Sequence, residues 1–311
     1  MKYLVTISCI LLVMLPFTQG QPTNSPAEEV QKYFSEAVKG NNYTISTATI
    51  RLVPVSEMVA ITTPYFSNVD RLVRYKAIDL IRRKGQLENT KAENQLLTSC
   101  LLEACKDKES GNSGVASRAL STFSSGDFSS YAADSILALI SSHAYHLERI
   151  ILLSGFIHNS STISFLENLK ISGDSLTAKQ RWTVDLALAR LGNRESIEYC
   201  LDKVRSTGVD DRTVTHLFPD LAYIRNKEAF DYMLNEILSD EEKCLSANPD
   251  NEKPVICAFR IMELVAPYMR DFPVKLTSYG ELAIDNYDEA LIKVKEWISR
   301  NKNYSLEITI Y

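Results

Sequence analysis

Amphipathic helical stretches recur along this chain in pairs, and the residues that end every second stretch recur with them. Gly85, Gly126, Gly155, Gly192 and Asn226 close successive second stretches at separations of 41, 29, 37 and 34 residues. A hairpin of two amphipathic helices cannot bury its apolar stripe alone. Repeated at intervals of ~30–47 residues, such hairpins bury a continuous core by stacking. The pairs are read as 57–65 with 69–84, 91–106 with 114–123, 128–141 with 144–153, 163–171 with 177–191, 194–204 with 211–224, and 228–238 with 254–268. A helix over 27–39 precedes them and one over 287–300 follows. In the first pair the expected stripe is Val69, Leu72, Val73, Ala77, Leu80 and Ile81, at helical spacing. Pro219 should kink the fifth second helix. Residues 43–53, where β-branched and apolar residues collect without a clean period, and 305–311, which alternate in part, are the candidate strands.

Glycine and proline are sparse, at 11 and 10 in 311 residues, which disfavours a turn-rich β fold. The net charge of −5 argues against a nucleic-acid or anionic-membrane binder. Lys2 is followed by an apolar run from Tyr3 to Phe17 and a polar exit at Thr18, Gln19 and Gly20. That run is short of the ~20 residues needed to span a bilayer. Residues 1–20 therefore read as a signal peptide, 21–55 as a lead-in with a capping helix, and 56–311 as the repeat domain. The expected destination is periplasmic or extracellular, with no transmembrane segment in the mature chain.

Two segments carry a resemblance. Asn68-Val69-Asp70-Arg71-Leu72-Val73-Arg74-Tyr75-Lys76-Ala77-Ile78-Asp79-Leu80-Ile81 resembles the turn and second helix of a HEAT repeat. Such repeats commonly place an aspartate in the turn, a valine–arginine pair opening the second helix, and an alanine with leucines after it. Thr177-Ala178-Lys179-Gln180-Arg181-Trp182-Thr183-Val184-Asp185-Leu186-Ala187-Leu188-Ala189-Arg190-Leu191-Gly192-Asn193 is similar to bacterial HEAT-like repeats. The third, fifth and sixth pairs depart from the pattern. The resemblance implies an all-α superhelix, a HEAT/armadillo-type solenoid of about six stacked hairpins. It implies no single function, because the fold hosts many.

Five cysteines lie beyond residue 20. Cys100 and Cys105 share a helical stripe with Leu97, Leu101 and Ala104. Five residues apart on a helix, their Cα atoms stand about 8.6 Å from each other, too far to bridge. Cys200 reads as a core residue beside Ile197, Leu201 and Val204. Cys244 and Cys257 flank a loop-like run, 246–251, and are the pair that could form a disulfide.

His143 and His146, with Glu148 nearby, would share one face of a helix but lack a third ligand, so no metal is expected. Gly111-Asn112-Ser113-Gly114 reads as a flexible turn, since no strand precedes it to make a phosphate cradle. No nucleophile elbow or dinucleotide fingerprint occurs, and no cofactor is expected. Seven basic residues, Arg71, Arg74, Lys76, Arg82, Arg83, Lys84 and Lys91, face only Asp79 and Glu88 across residues 71–91. Eight acidic residues face only two lysines across 227–252. Both runs read as solvated helix faces, with an N-terminal patch for an anionic partner as the alternative. Triplets for N-glycosylation stand at Asn42, Asn159 and Asn303.

The function expected is that of an exported, non-enzymatic interaction module binding a protein or other partner along a solenoid surface. Arg71, Arg74, Tyr75 and Arg181 are the candidate contact residues, from their positions on second helices. The alternative is an envelope hydrolase or glycan-processing enzyme whose site is assembled across repeats. Within the fourth pair, Val184, Ala187, Leu188 and Leu191 should form a tightly packed seam, with Ser175 in the loop before it.

Overall fold

A computed structural model describes residues 25–172, 176–246 and 253–311. The expected leader at 1–20 lies outside the described residues, as does Ser175. The described chain is predominantly helical. Its helices are α1 (Pro26–Val38), α2 (Thr47–Leu52), α3 (Val55–Thr62), α4 (Arg71–Gly85), α5 (Lys91–Ala104), α6 (Ser110–Leu120), α7 (Ala132–Ser141) and α8 (Leu147–Phe156). They continue as α9 (Ser160–Ser172), α10 (Ala178–Arg190), α11 (Arg194–Thr207), α12 (Asp211–His216), α13 (Phe218–Ile224), α14 (Lys227–Ile237), α15 (Ala258–Val265) and α16 (Tyr287–Arg300).

Local chemistry explains most boundaries. Ser25, Thr90 and Thr177 each cap a helix, with Glu28, Glu93 and Gln180 reaching back to complete a capping box. Asp70 and Asn193 cap α4 and α11 through a side-chain oxygen. Helix α3 tightens into a 3₁₀ turn over Thr63–Ser67, where Pro64 enters.

Packing runs along two series. Helices α3, α5, α7 and α9 contact their neighbours in that order. So do α4, α6, α8, α10, α13 and α15. Members of the two series also pack as sequence neighbours, α3 on α4, α5 on α6, α7 on α8 and α9 on α10. The buried apolar residues form two clusters that meet within α10. Val184, Ala187 and Leu188 belong to the N-terminal cluster, while Leu186 and Ala189 belong to the C-terminal one. At this boundary α8 and α10 touch backbone to backbone. A Cβ on Gly155 would stand 2.8 Å from the Cα and carbonyl oxygen of Ala187, which is itself fully buried. Only glycine fits there.

Several expectations need correction. Residues 43–53 hold no strand; Ser46 caps the short helix α2 instead. The stripe of α4 begins later than its spacing suggested: Val69 and Leu72 are exposed, and Ile78 joins Val73, Ala77, Leu80 and Ile81 in the core. Gly111–Gly114 is not a turn but part of α6. Asn112 bonds the carbonyl of Arg71 and the carboxylate of Asp107, and Ser113 bonds the carbonyl of Cys105, so small residues seat the helix start against its neighbours. The fifth second helix is broken rather than kinked, into α12 and α13, at Leu217–Phe218, just before Pro219. Residues 254–257 precede α15 as a short strand and turn. There β1 (Glu242–Cys244) pairs with β2 (Val255–Ile256) in an antiparallel ribbon.

Cys244 and Cys257 are joined by a disulfide across this ribbon, with Cα atoms 5.0 Å apart. Cys100, Cys105 and Cys200 are free thiols.

Residues 305–311 make one antiparallel bridge, Leu306 to Met269, and otherwise run as an extended strap held by arginine side chains and one backbone amide. The strap crosses the C-terminal ends of α13, α10 and α8. Arg225 donates to the carbonyls of Glu307 and Tyr311, at 3.2 and 2.8 Å. Arg190 donates to those of Ile308 and Ile310, at 3.3 and 3.0 Å. The amide of Ser125 donates to Thr309 at 2.9 Å. The Tyr311 ring packs edge-on to Phe156 and tilted against Tyr223.

Candidate functional site

A cleft opens between α3 with its 3₁₀ extension, α4 and α5. Its volume is about 730 Å³. Val59, Phe66, Ile78, Leu96, Cys100 and Ala104 make its apolar lining. The 3₁₀ turn contributes Thr63, Phe66 and Ser67 to the lining, and Asn68 follows directly after it. Helix α5 contributes Leu96, Cys100 and Glu103, spaced i, i+4 and i+7 on one face. A concave, mostly apolar volume of ~300–1,000 Å³ with few polar groups is the usual form of a ligand site.

One polar wall is buried. The side chains of Arg74 and Asp107 are 4% and 3% exposed and form a two-bonded pair, at 2.7 Å from Nε and 3.1 Å from Nη2. Arg74 also donates through Nη1 to the carbonyls of Asn68 and Val69. Asp107 accepts from Asn112 and from the amide of Glu109 as well. The hydrogen bonds to Asp107 raise the Arg74 pKa. Burial pushes the Asp107 carboxyl up, but the bonds from Arg74, the Glu109 amide and Asn112 outweigh it, and the net shift is downward. This wall carries no net charge and has its hydrogen-bonding capacity largely filled from within the protein.

Lysines mark the mouth. Lys106 pairs with Glu103 at 2.6 Å, while Lys108 is exposed and makes no ion pair among the described residues. Counted over the charged residues that line it, three basic against two acidic, the cleft is left with one positive charge.

Cys100 is the partly exposed free thiol of the described chain, whereas Cys105 and Cys200 are buried. Burial raises the Cys100 thiol to about 11, against a smaller opposing effect of the Thr63 hydroxyl. A thiol held protonated in this way is a poor nucleophile near neutral pH.

The residues expected from sequence to make contacts do not gather here. Arg74 does line the cleft, but as a buried structural cation committed to Asp107 rather than as an exposed contact. Arg71 and Tyr75 are exposed on α4, away from the cleft lining. Arg181 is exposed on α10, separated from them in packing order by α6 and α8. The basic run over 71–91 is not one patch either. Lys84 is buried and donates to the carbonyls of Ile50, Arg51 and Val53, closing the end of α2. Arg82 pairs with Asp79, and Arg83 donates to the carbonyl of Ile45.

His143 and His146 do not share a helix face. Both have left-handed backbone in the loop before α8. His146 Nε2 lies 2.8 Å from the carbonyl of Ser110 and packs on Gly114, pinning this loop to α6. No group of three or more histidine, cysteine or acidic side chains stands where it could hold a metal ion among the described residues. No described helix is long and apolar enough to cross a membrane.

Sequence reasoning passed over Val59, Phe66, Leu96 and Lys108. The signals were Pro64, which shortens α3, and Leu96, an apolar residue off the Leu97–Leu101–Ala104 stripe. No family model matches this chain, and no curated protein or solved structure is significantly similar to it.

Proposed function

We propose that this chain is an exported, non-enzymatic interaction module whose helix pairs stack as an α-solenoid of the HEAT/armadillo type, and that the cleft between α3, α4 and α5 is where its partner inserts an apolar group. The ordered contacts within each helix series support the stacking. The disulfide between Cys244 and Cys257 supports an oxidising destination, together with the apolar run at residues 3–17.

The observation that carries the binding role is the chemistry of the cleft wall. Arg74 and Asp107 spend their hydrogen bonds on each other and on backbone, so they offer an incoming group little but neutral surface. Binding there gains from apolar area removed from water, about 25 cal/mol per Å². Catalysis by acid–base or nucleophilic chemistry needs a poised titratable group aimed at the reacting atom. The cleft's thiol is shifted away from reactivity.

A neutral solvatochromic dye, Nile red, tests this reading. The wild-type protein should bind it at one site with blue-shifted emission. Ser99 is exposed at the cleft edge, so Ser99→Trp should fill the cleft and abolish binding while leaving the thermal melt within a few degrees of wild type. Absence of dye binding to the wild type, or equal binding by Ser99→Trp, would sink the proposal.

A further inference from the structure

We infer that the occupant of the cleft is a small anionic amphiphile, an unbranched alkyl chain ending in a carboxylate or similar monoanion, with its chain against Phe66, Ile78 and Leu96 and its head at Lys108. The inference rests on the binding reading above and adds the chemistry of the ligand.

Three features of the cleft converge on it. The volume of about 730 Å³ suits a small molecule of drug-like size. The interior supplies apolar side chains and a charge-neutral Arg74–Asp107 wall, which would leave a second buried charge on the ligand without a partner. The mouth is different. Glu103 neutralises Lys106 at 2.6 Å, but Lys108 stands exposed with no ion pair among the described residues. A ligand with one apolar end and one negative end matches this gradient. A cationic amphiphile would set its head against Lys106 and Lys108, and a doubly charged one would gain from only one unpaired lysine.

Cys100 provides the readout, since it lines the cleft and is the partly exposed free thiol there. The full oxidised protein is treated with iodoacetamide at mildly alkaline pH, and the modified cysteine is located by peptide mapping. Octanoate, decanoate and dodecanoate should slow Cys100 alkylation in that order. Each added methylene should tighten binding roughly fourfold or less, the equivalent of burying one CH₂.

Dodecanoate should protect better than dodecanol, and dodecyltrimethylammonium should protect least. Lys108→Glu should weaken dodecanoate about fivefold, as expected for an exposed charge pair, and leave dodecanol unchanged. Ser99→Trp should remove protection by all of them. Equal protection by dodecanol and dodecanoate, or an unchanged dodecanoate affinity in Lys108→Glu, would overturn the anionic head while Nile red binding survives. Loss of both dye binding and protection would instead overturn the cleft as a binding site.

Discussion

The two halves of this molecule bury arginine in opposite ways. On the N-terminal side Arg74 meets a carboxylate, Asp107, in a two-bonded pair beside an open cleft. On the C-terminal side Arg190 and Arg225 have no aspartate or glutamate at hydrogen-bond distance among the described residues and donate instead to main-chain oxygens of residues 222, 223, 307, 308, 310 and 311, with the Arg190 Nε left buried and unpaired. They also lie against aromatic faces, Arg190 over Phe156 and Tyr223, Arg225 over Tyr268. The cost of this second arrangement is visible. Burial, with the nearby Arg190 charge adding to it, lowers the Arg225 guanidinium to about 10. An ion pair neutralises charge locally and leaves the space beside it free for something else. Carbonyl coordination needs a length of chain laid across the arginines, and that chain closes the surface.

The largest effect should come where the halves meet. Ala187→Glu places a carboxylate in the seam against Gly155, with no room and no partner. The loss should be several kcal/mol, comparable to much of a typical domain's stability, and neither half should keep a cooperative melt near the wild-type temperature. A melt of Ala187→Glu within a few degrees of wild type would show that α8 and α10 do not pack as described.

Breaking the N-terminal pair should rank next. Asp107→Ala strands a buried guanidinium and should cost about 3–5 kcal/mol in urea unfolding. The pair also sets a pH dependence. The folded Asp107 pKa lies below its unfolded value, so its stabilising contribution is present above the usual aspartate range and is lost as pH falls through the folded value. Asp107→Asn should therefore flatten the acid limb of the stability–pH curve. An unchanged acid limb would argue against the pair.

The fold was legible in the sequence where helices are capped and striped. Thr177 and Gln180 announce α10, and the alanines of that helix mark the close seam with α8. The site was not legible, because a cleft is a failure of one helix to cover its neighbours. Nothing in the spacing of Val59, Phe66 and Leu96 says that α3 stops short and leaves them facing one another. The contact residues placed on α4 separate in space for a related reason. Arg71, Arg74 and Tyr75 fall within five residues, yet a helix turns 100° per residue, and Arg74 points inward to a carboxylate 33 positions away. Arg190 was equally hidden, since its acceptors lie 33, 118 and 120 residues further on.

The smallest effect should come from Arg190→Met, which removes the hydrogen bonds to the carbonyls of residues 223, 308 and 310 but also a desolvated charge. The two terms partly offset, and the net loss should be about 1–2 kcal/mol. Its signature is local: amides in residues 305–311 should exchange with solvent faster, while those of α4 and α5 should not. Equal exchange in the two regions would mean that the strap does not depend on Arg190.

The strap also imposes an order in time. Helices α4 to α10 can pack as soon as each neighbour is made, but Arg190 must wait for about 120 further residues before its last acceptors exist. Without residues 305–311, Arg190 lacks the main-chain oxygens of 308 and 310, Arg225 lacks those of 307 and 311, and no Tyr311 ring packs against Phe156 and Tyr223. The strap therefore lies over a basic, aromatic furrow, and residues 305–311 are what cover it.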